Sequence, residues 1–134
     1  MNAKSLIFCT LLCLATAFTV SCSSDKNSSE KVANAAKQYY DRLLEGKYDA
    51  FVDGSMGNKD IPDDYRQQLI VNARQFLEEM KEKRNGLTSV RAAGASIDEA
   101  AGTADAFLVL CFGDSTTEEV VVPMIQQESA WLMR

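Results

Sequence analysis

Residues 81–112 read KEKRNGLTSVRAAGASIDEAAGTADAFLVLCF, and the hydrophobic period changes within this stretch. Before Gly86, apolar residues recur at steps of three and four, which is the spacing of one face of an α-helix. After Gly86, they alternate with polar residues, which is the spacing of a β-strand. The stretch therefore predicts a helical half followed by an antiparallel half, which is the α+β fold class.

Helices are predicted on the N-terminal side of this change. Their expected ranges are 29–45, 48–53 and 60–86. Ser28 or Ser29 is expected to cap the first helix, and Gly46 to end it in a left-handed turn. In the third helix, Asp60 is the expected cap and Pro62 lies in the first turn, where the missing N–H costs little. An apolar stripe along the third helix is interpreted as core.

Four strands are predicted after Gly86, over residues 87–97, 103–112, 116–125 and 129–133. Both faces of residues 103–112 are apolar, so this strand is expected to be central and Cys111 to lie in the core. Pro123 lacks a backbone donor, which predicts an edge or a bulge at that point. The expected architecture is helices one and three on one face of a curved four-stranded antiparallel sheet.

Composition excludes several classes of function. The 134 residues carry 14 Lys and Arg against 19 Asp and Glu, a net charge of −5, and there is no histidine. Without histidine there can be no Ser-His-Asp triad, Cys-His pair or histidine-ligated zinc. An acidic chain lacks the basic surface that nucleic acid requires, so no nucleic-acid partner is expected. The sequence contains no CxxC, glycine-rich phosphate loop or GxSxG motif, so no cofactor and no metal are expected.

The first residues are typical of a bacterial lipoprotein signal peptide. Lys4 precedes an apolar run of 15 residues from Leu6 to Val20, and no acidic residue occurs before Asp25. This run suits a signal peptide better than a transmembrane anchor, which needs about 20 residues. Residues 18–22, FTVSC, resemble a lipobox, which implies cleavage before Cys22 and acylation (palmitate) of that cysteine. A plain secretory signal cut elsewhere is the alternative.

The predicted cleavage defines the organisation of the mature chain. Residues 1–21 are the signal peptide, 22–29 a flexible tether and 30–134 one α+β domain. Removing 21 residues from 134 leaves 113, and loss of Lys4 takes the net charge from −5 to −6. Ser23 follows the acylated cysteine where an aspartate can retain a lipoprotein in the inner membrane. The expected location is therefore the cell envelope, on the outer membrane.

Three segments carry a family resemblance. They are residues 39–51 (YYDRLLEGKYDAF), 87–90 (LTSV) and 128–133 (ESAWLM). The first resembles the helix and Gly-Asp-Tyr-x-x-Ala opening of the nuclear transport factor 2-like superfamily, and the others its first and closing strands. Within that superfamily the chain is most similar to small bacterial lipoproteins of unknown function. The resemblance implies a cone-shaped fold with a pocket at the open end, in a superfamily that contains enzymes, binders and dimerising modules.

These features favour a non-enzymatic, lipid-anchored module that binds a ligand or a protein. Tyr48, Phe51 and Met56 are the predicted ligand-binding rim of the pocket. The expected partners are the membrane through the lipid anchor, and a small apolar ligand, another protein or a second copy of the chain. An isomerase-like enzyme with Asp105 as its base is the alternative, although an exposed Asp105 is the simpler expectation. A structural role in envelope assembly also stays open.

Overall fold

The first helix, α1, begins earlier than the sequence predicts. The computed structural model describes residues 21–55 and 60–134, with side chains from Lys26 onward, and α1 covers Ser21–Leu44. Ser29 therefore lies within the helix. Its hydroxyl donates to the Ala95 carbonyl at 3.0 Å and accepts from the Ala95 N–H at 2.8 Å. The expectation that Ser28 or Ser29 caps the helix is wrong, because the helix starts well before them.

Residues 1–20 of the predicted signal peptide, which covers 1–21, lie outside the described residues. The backbone of residues 22–29 belongs to α1, and their role as a tether stays a prediction.

The C-terminal end of α1 agrees with the prediction from the sequence. Gly46 has a φ of +78°, and the Lys47 N–H donates to the Arg42 carbonyl at 2.9 Å. This left-handed turn closes the helix as expected.

Two further helices follow, α2 over Tyr48–Asp53 and α3 over Asp63–Arg84. Pro62 occupies the N-cap position of α3, and no side chain caps the helix there. The prediction that Asp60 is the cap is therefore wrong: Asp60 lies two residues before the N-cap. At the other end Asn85 adopts the left-handed conformation, with a φ of 58°. The Gly86 N–H then donates to the Met80 carbonyl at 3.0 Å.

The second half of the chain is one four-stranded antiparallel sheet. Its strands are β1 (Leu87–Asp98), β2 (Thr103–Phe112), β3 (Thr117–Gln127) and β4 (Ala130–Met133). They lie in the order β1-β2-β3-β4, each paired with the next. Three helices followed by this sheet confirm the predicted α+β class, and β2 lies between two partners as its apolar sequence predicts.

The core lies between α1 and one face of the sheet, which we call the inner face. Alternate residues of β2 from Ala104 to Phe112 are buried there, and Leu108 is fully buried. α1 contributes Val32 and Ala36 to the same core.

Helix α3 contacts β1, and its Phe76 packs against the core cluster. Its last residue, Arg84, also lies over the Phe112 ring of β2 and pairs with Glu118 of β3. Helices one and three were expected to share the sheet, whereas α1 alone spans all four strands.

The opposite face of the sheet, the outer face, is covered by no helix among the described residues. Cys111 lies on this face and is only half-buried. The expectation of a buried core cysteine is therefore wrong, because an apolar row of β2 indicates a central strand but not which face a helix covers. Pro123 lies just beyond the β3 residues that pair with β4, which run from Met124 to Gln127. Its carbonyl accepts from the Arg134 N–H at 2.9 Å, so the predicted edge lies where the β3–β4 pairing ends.

Candidate functional site

A cavity of about 330 Å³ lies among the three helices. It is lined by residues of α1, α2 and α3 and of the turn after α2: Tyr40, Leu43, Phe51, Val52, Ser55, Leu69, Asn72, Ala73 and Phe76. Most of these side chains are apolar, and none is charged. Its volume falls at the lower end of the range typical of small-molecule sites.

Helix length explains why this space is not filled. Helices α1 and α3 have 24 and 22 residues, whereas α2 between them has only six. Both long helices turn apolar residues toward α2, at spacings of three and four residues that place them on one helical face. A six-residue helix offers few side chains, of which Phe51 and Val52 reach the cavity. The apolar stripe of α3 is therefore partly a cavity wall and only partly core.

Tyr40 is one of three polar residues, with Ser55 and Asn72, in a largely apolar wall. Its ring meets the Phe51 ring edge-on, with ring centroids 5.4 Å apart and planes at 83°. Burial raises the pKa of the Tyr40 hydroxyl, so the group stays neutral. Within the described part of the chain, this hydroxyl has no hydrogen-bond partner. A half-buried hydroxyl without a partner gains a hydrogen bond when a ligand supplies an acceptor or donor.

Two contacts between α2 and α3 flank the cavity. Arg66 donates to one carboxylate oxygen of Asp53, with its terminal nitrogen at 2.8 Å. Further along α3, the Arg74 guanidinium lies over the Tyr48 ring, 5.5 Å from the ring centroid. Each contact is partly exposed, and exposed ion pairs and cation–π contacts of this kind contribute little to stability. Together these two polar contacts hold α2 against α3. Partly exposed polar contacts of this kind break more easily than buried apolar packing.

Of the three residues predicted to form the pocket rim, two lie among the described residues. Phe51 lines the cavity. Tyr48 is half-buried beneath Arg74 and is not among the lining residues. Met56 lies outside the described residues.

Several lining residues were missed by sequence reasoning, notably Tyr40, Leu69 and Phe76. A signal for them exists in the sequence. Two long amphipathic helices separated by a very short one leave apolar surface without an equally long partner.

Asp105, the carboxylate that the alternative prediction makes a catalytic base, lies away from the described cavities. Asp105 is exposed on the outer face, paired across the sheet with Ser96 and Pro123, and lines none of the described cavities. An isomerase-type base requires an enclosed apolar site, which this exposed position does not provide. Among the described residues, no group of three or more Cys, Asp or Glu side chains could hold a metal ion.

The Cys111 thiol has an altered acidity. Hydrogen bonds from Ser89, and then from Arg91, lower the pKa of this thiol below its usual value, and the positive charge of Arg91 acts in the same direction. Ser89 is its direct cross-strand neighbour on β1. No positive neighbour was found from the sequence, because Arg91 is distant along the chain and meets Cys111 only through strand pairing.

Replacing Arg91 with glutamine is expected to raise the pKa of the Cys111 thiol. Because the thiolate is the nucleophile, the pH profile of alkylation by iodoacetamide should move to higher pH, and the rate near neutral pH should fall. Labelling kinetics followed by peptide mass spectrometry measure this for Cys111 alone. Arg74→Gln, on α3, is the matched control and should leave the profile unchanged. An unchanged profile in Arg91→Gln would contradict the assignment.

Comparison with solved structures identifies the fold. The chain superimposes on a crystal structure from Campylobacter jejuni, provisionally named an NTF2-like transpeptidase, with a TM-score of 0.55 and 14% sequence identity. The match covers 75% of this chain and 94% of that one. The chain therefore has the nuclear transport factor 2-like fold, as the resemblance implies, and at this identity the match shows the fold alone.

Other comparisons give no functional assignment. No protein-family model matches the chain, and no curated protein matches it. No helix among the described residues combines the length and apolar character needed to span a bilayer.

Proposed function

We propose that the chain is a lipid-anchored protein of the cell envelope that binds a small apolar molecule in the cavity between its helices and does not catalyse a reaction. The observation that carries this proposal is the cavity itself, an uncharged space of about 330 Å³ with a hydroxyl that has no partner among the described residues. The lipobox-like sequence before Cys22 supports the anchor.

The lining restricts the chemistry of the ligand. No charged side chain lines the cavity, so a charged ligand would lose its hydration without gaining an opposite charge. Apolar contacts with Leu43, Leu69 and Phe76 instead favour an aliphatic or aromatic body. The Tyr40 hydroxyl favours one neutral polar group, such as a carbonyl or hydroxyl oxygen. The proposed ligand is therefore a neutral, largely apolar molecule with a single hydrogen-bonding end.

Two adjacent tyrosines provide a matched test. In this proposal the Tyr40 hydroxyl binds the ligand. The Tyr39 hydroxyl instead donates to the Trp131 carbonyl at 2.8 Å, and neither of these two residues lines the cavity. Tyr40→Phe is expected to weaken ligand binding by about tenfold, the effect of one hydrogen bond, without lowering stability. Tyr39→Phe is expected to cost about 1 kcal/mol of stability and to leave ligand binding unchanged.

The measurement starts with the full chain purified from membranes and examined by native mass spectrometry for a co-purified molecule. Its retention during dilution is then compared among the wild type, Tyr40→Phe and Tyr39→Phe, with thermal melting measured in parallel. Leu69→Trp, which fills the cavity, should abolish retention. Absence of any bound molecule, or equal retention in Leu69→Trp and wild type, would argue against a ligand in this cavity.

A further inference from the structure

Two adjoining cavities lie beside the N-terminal half of α1, apart from the cavity between the helices. Their volumes are about 560 and 390 Å³, and Ser28, Ile97 and Glu99 line both of them. Both are bounded by α1, by the end of β1 and by the turn that follows it, and we call the two together the hairpin-end pocket. None of its lining residues lines the cavity between the helices, so it is a separate space.

Hydrogen bonds fix the frame of the hairpin-end pocket. The Ser29 hydroxyl bonds both backbone groups of Ala95, which ties α1 to β1. In the turn after β1, the Asp98 carboxylate accepts from the Ala101 N–H at 3.1 Å. These contacts hold the helix and the turn in place without the side chains of Lys31 and Glu99. The pocket is therefore preformed, and two charged side chains in its lining are left for a ligand.

The charges of this lining are of opposite sign and are not paired. Lys31 of α1 and Glu99 of the β1–β2 turn line the same cavity, and neither forms an ion pair within the described part of the chain. Gln126 and Trp131 line this cavity as well. A ligand with one positive and one negative group gains an opposite charge at both charged side chains, whereas a singly charged ligand also meets a like charge.

The position of the pocket along α1 indicates where such a ligand would come from. Cys22 precedes Ser28 by six residues on the same helix, about 9 Å along its axis. This inference rests on the proposed lipid anchor at Cys22, which would hold the pocket beside the bilayer surface. Lipid headgroups are then present at a high effective concentration, so a weak individual affinity suffices. Trp131 suits this location, because indole rings are enriched at membrane–water interfaces.

We propose that the hairpin-end pocket binds the headgroup of a phospholipid that carries a phosphate and a primary ammonium, as phosphatidylethanolamine does. Lys31 pairs with the phosphate, Glu99 accepts from the ammonium, and the Gln126 side-chain oxygen is a further acceptor. A primary ammonium has three N–H donors for these acceptors, whereas a quaternary ammonium has none. A headgroup with a negative charge alone, such as that of phosphatidylglycerol, would meet Glu99 and Asp98 without a positive group to offer them.

Trp131 provides a direct readout, because it is the only tryptophan in the chain. The full chain, purified from membranes, is reconstituted into phosphatidylglycerol vesicles with increasing fractions of either phosphatidylethanolamine or phosphatidylcholine. The two series have the same net surface charge and differ in the ammonium group. The emission of Trp131 is expected to shift saturably to shorter wavelength with phosphatidylethanolamine and much less with phosphatidylcholine. Equal shifts in the two series, or no shift in either, would overturn the proposal.

Charge-removing variants test the assigned side chains. Lys31→Gln and Glu99→Gln are each expected to raise the half-saturating fraction of phosphatidylethanolamine at least about fivefold, because each removes a charge-assisted hydrogen bond. Lys26→Gln and Glu128→Gln make the same changes outside the pocket lining and should leave this fraction largely unchanged. All four side chains are exposed, so none of the substitutions disturbs the core. Equal effects inside and outside the pocket would mean that surface charge alone governs the response, which would overturn the proposal.

Flotation of the same vesicles separates this inference from the proposed function. A chain that floats with every lipid composition, but whose Trp131 emission does not distinguish the two series, has its anchor and lacks the headgroup site. A chain that does not float lacks the anchor, which overturns both the anchor and this inference. Neither result bears on a ligand in the cavity between the helices.

Discussion

Cys22→Ser is expected to leave the chain as an uncleaved precursor that takes up no labelled fatty acid. The physical reason is that acylation requires the thiol as nucleophile and that cleavage before residue 22 follows acylation in proteins with a lipobox of this kind. The effect should be all or none. Metabolic labelling with a fatty acid, followed by gel migration and intact mass, measures both steps. Without the lipid, membrane association would rest on the retained signal segment.

Cys13→Ser is the matched control for that experiment. Cys13 lies within the apolar run of residues 6–20, and its replacement should leave both cleavage and acylation intact. Label incorporated by Cys22→Ser would place the acylation at another residue. A mature, unacylated N-terminus other than residue 22 in the wild type would indicate a plain secretory signal. That result would remove the anchor from the proposed function while leaving the cavity untouched.

Leu108→Ala is expected to cost about 2–5 kcal/mol of the free energy of unfolding. Leu108 is 0% exposed at the centre of β2, between Ala92 and Val120 on the neighbouring strands and packed in the core beneath α1. Its truncation removes apolar contacts and leaves a cavity that a sheet paired on both sides cannot close. For a domain of this size the melting temperature should fall by at least about 10 °C.

Leu77→Ala makes the same chemical change at a half-buried position of α3, outside the core cluster. It should cost less than half as much, since less apolar surface is lost and alanine favours a helix. Thermal and urea unfolding of both variants, with ligand-free protein, provide the comparison. Equal losses would mean that the core is not concentrated between α1 and the inner face of the sheet.

The fold was largely predictable because its signals are local. The hydrophobic period changes at Gly86. Gly46 and Gly86 lie at the ends of α1 and α3, where the backbone is left-handed. The strand bounds follow from alternation and from polar turns. Prediction was poorer at the N-terminal ends of α1 and α3. Ser29 and Asp60 are both residues that commonly cap helices, but whether they do so depends on where the helix begins and on what neighbouring strands offer.

The candidate site was less predictable because its members are distant along the chain. Phe51 was identified, but Tyr40 and Phe76 face the same cavity only when α1 and α3 pack beside the short α2. The outer face depends in the same way on register. Arg91 and Cys111 are neighbours through strand pairing, and their 20-residue separation carries no sign of that contact.

By itself, the sequence predicted the signal peptide and determined the α+β order of elements and the exclusion of histidine chemistry, since each depends on residue type or local period. Tertiary structure decided which apolar residues enclose the cavity, which face of β2 is covered and which charged side chain lies beside Cys111. The physical reason is that periodicity shows that a side chain is suited to burial, whereas only packing determines what lies against it.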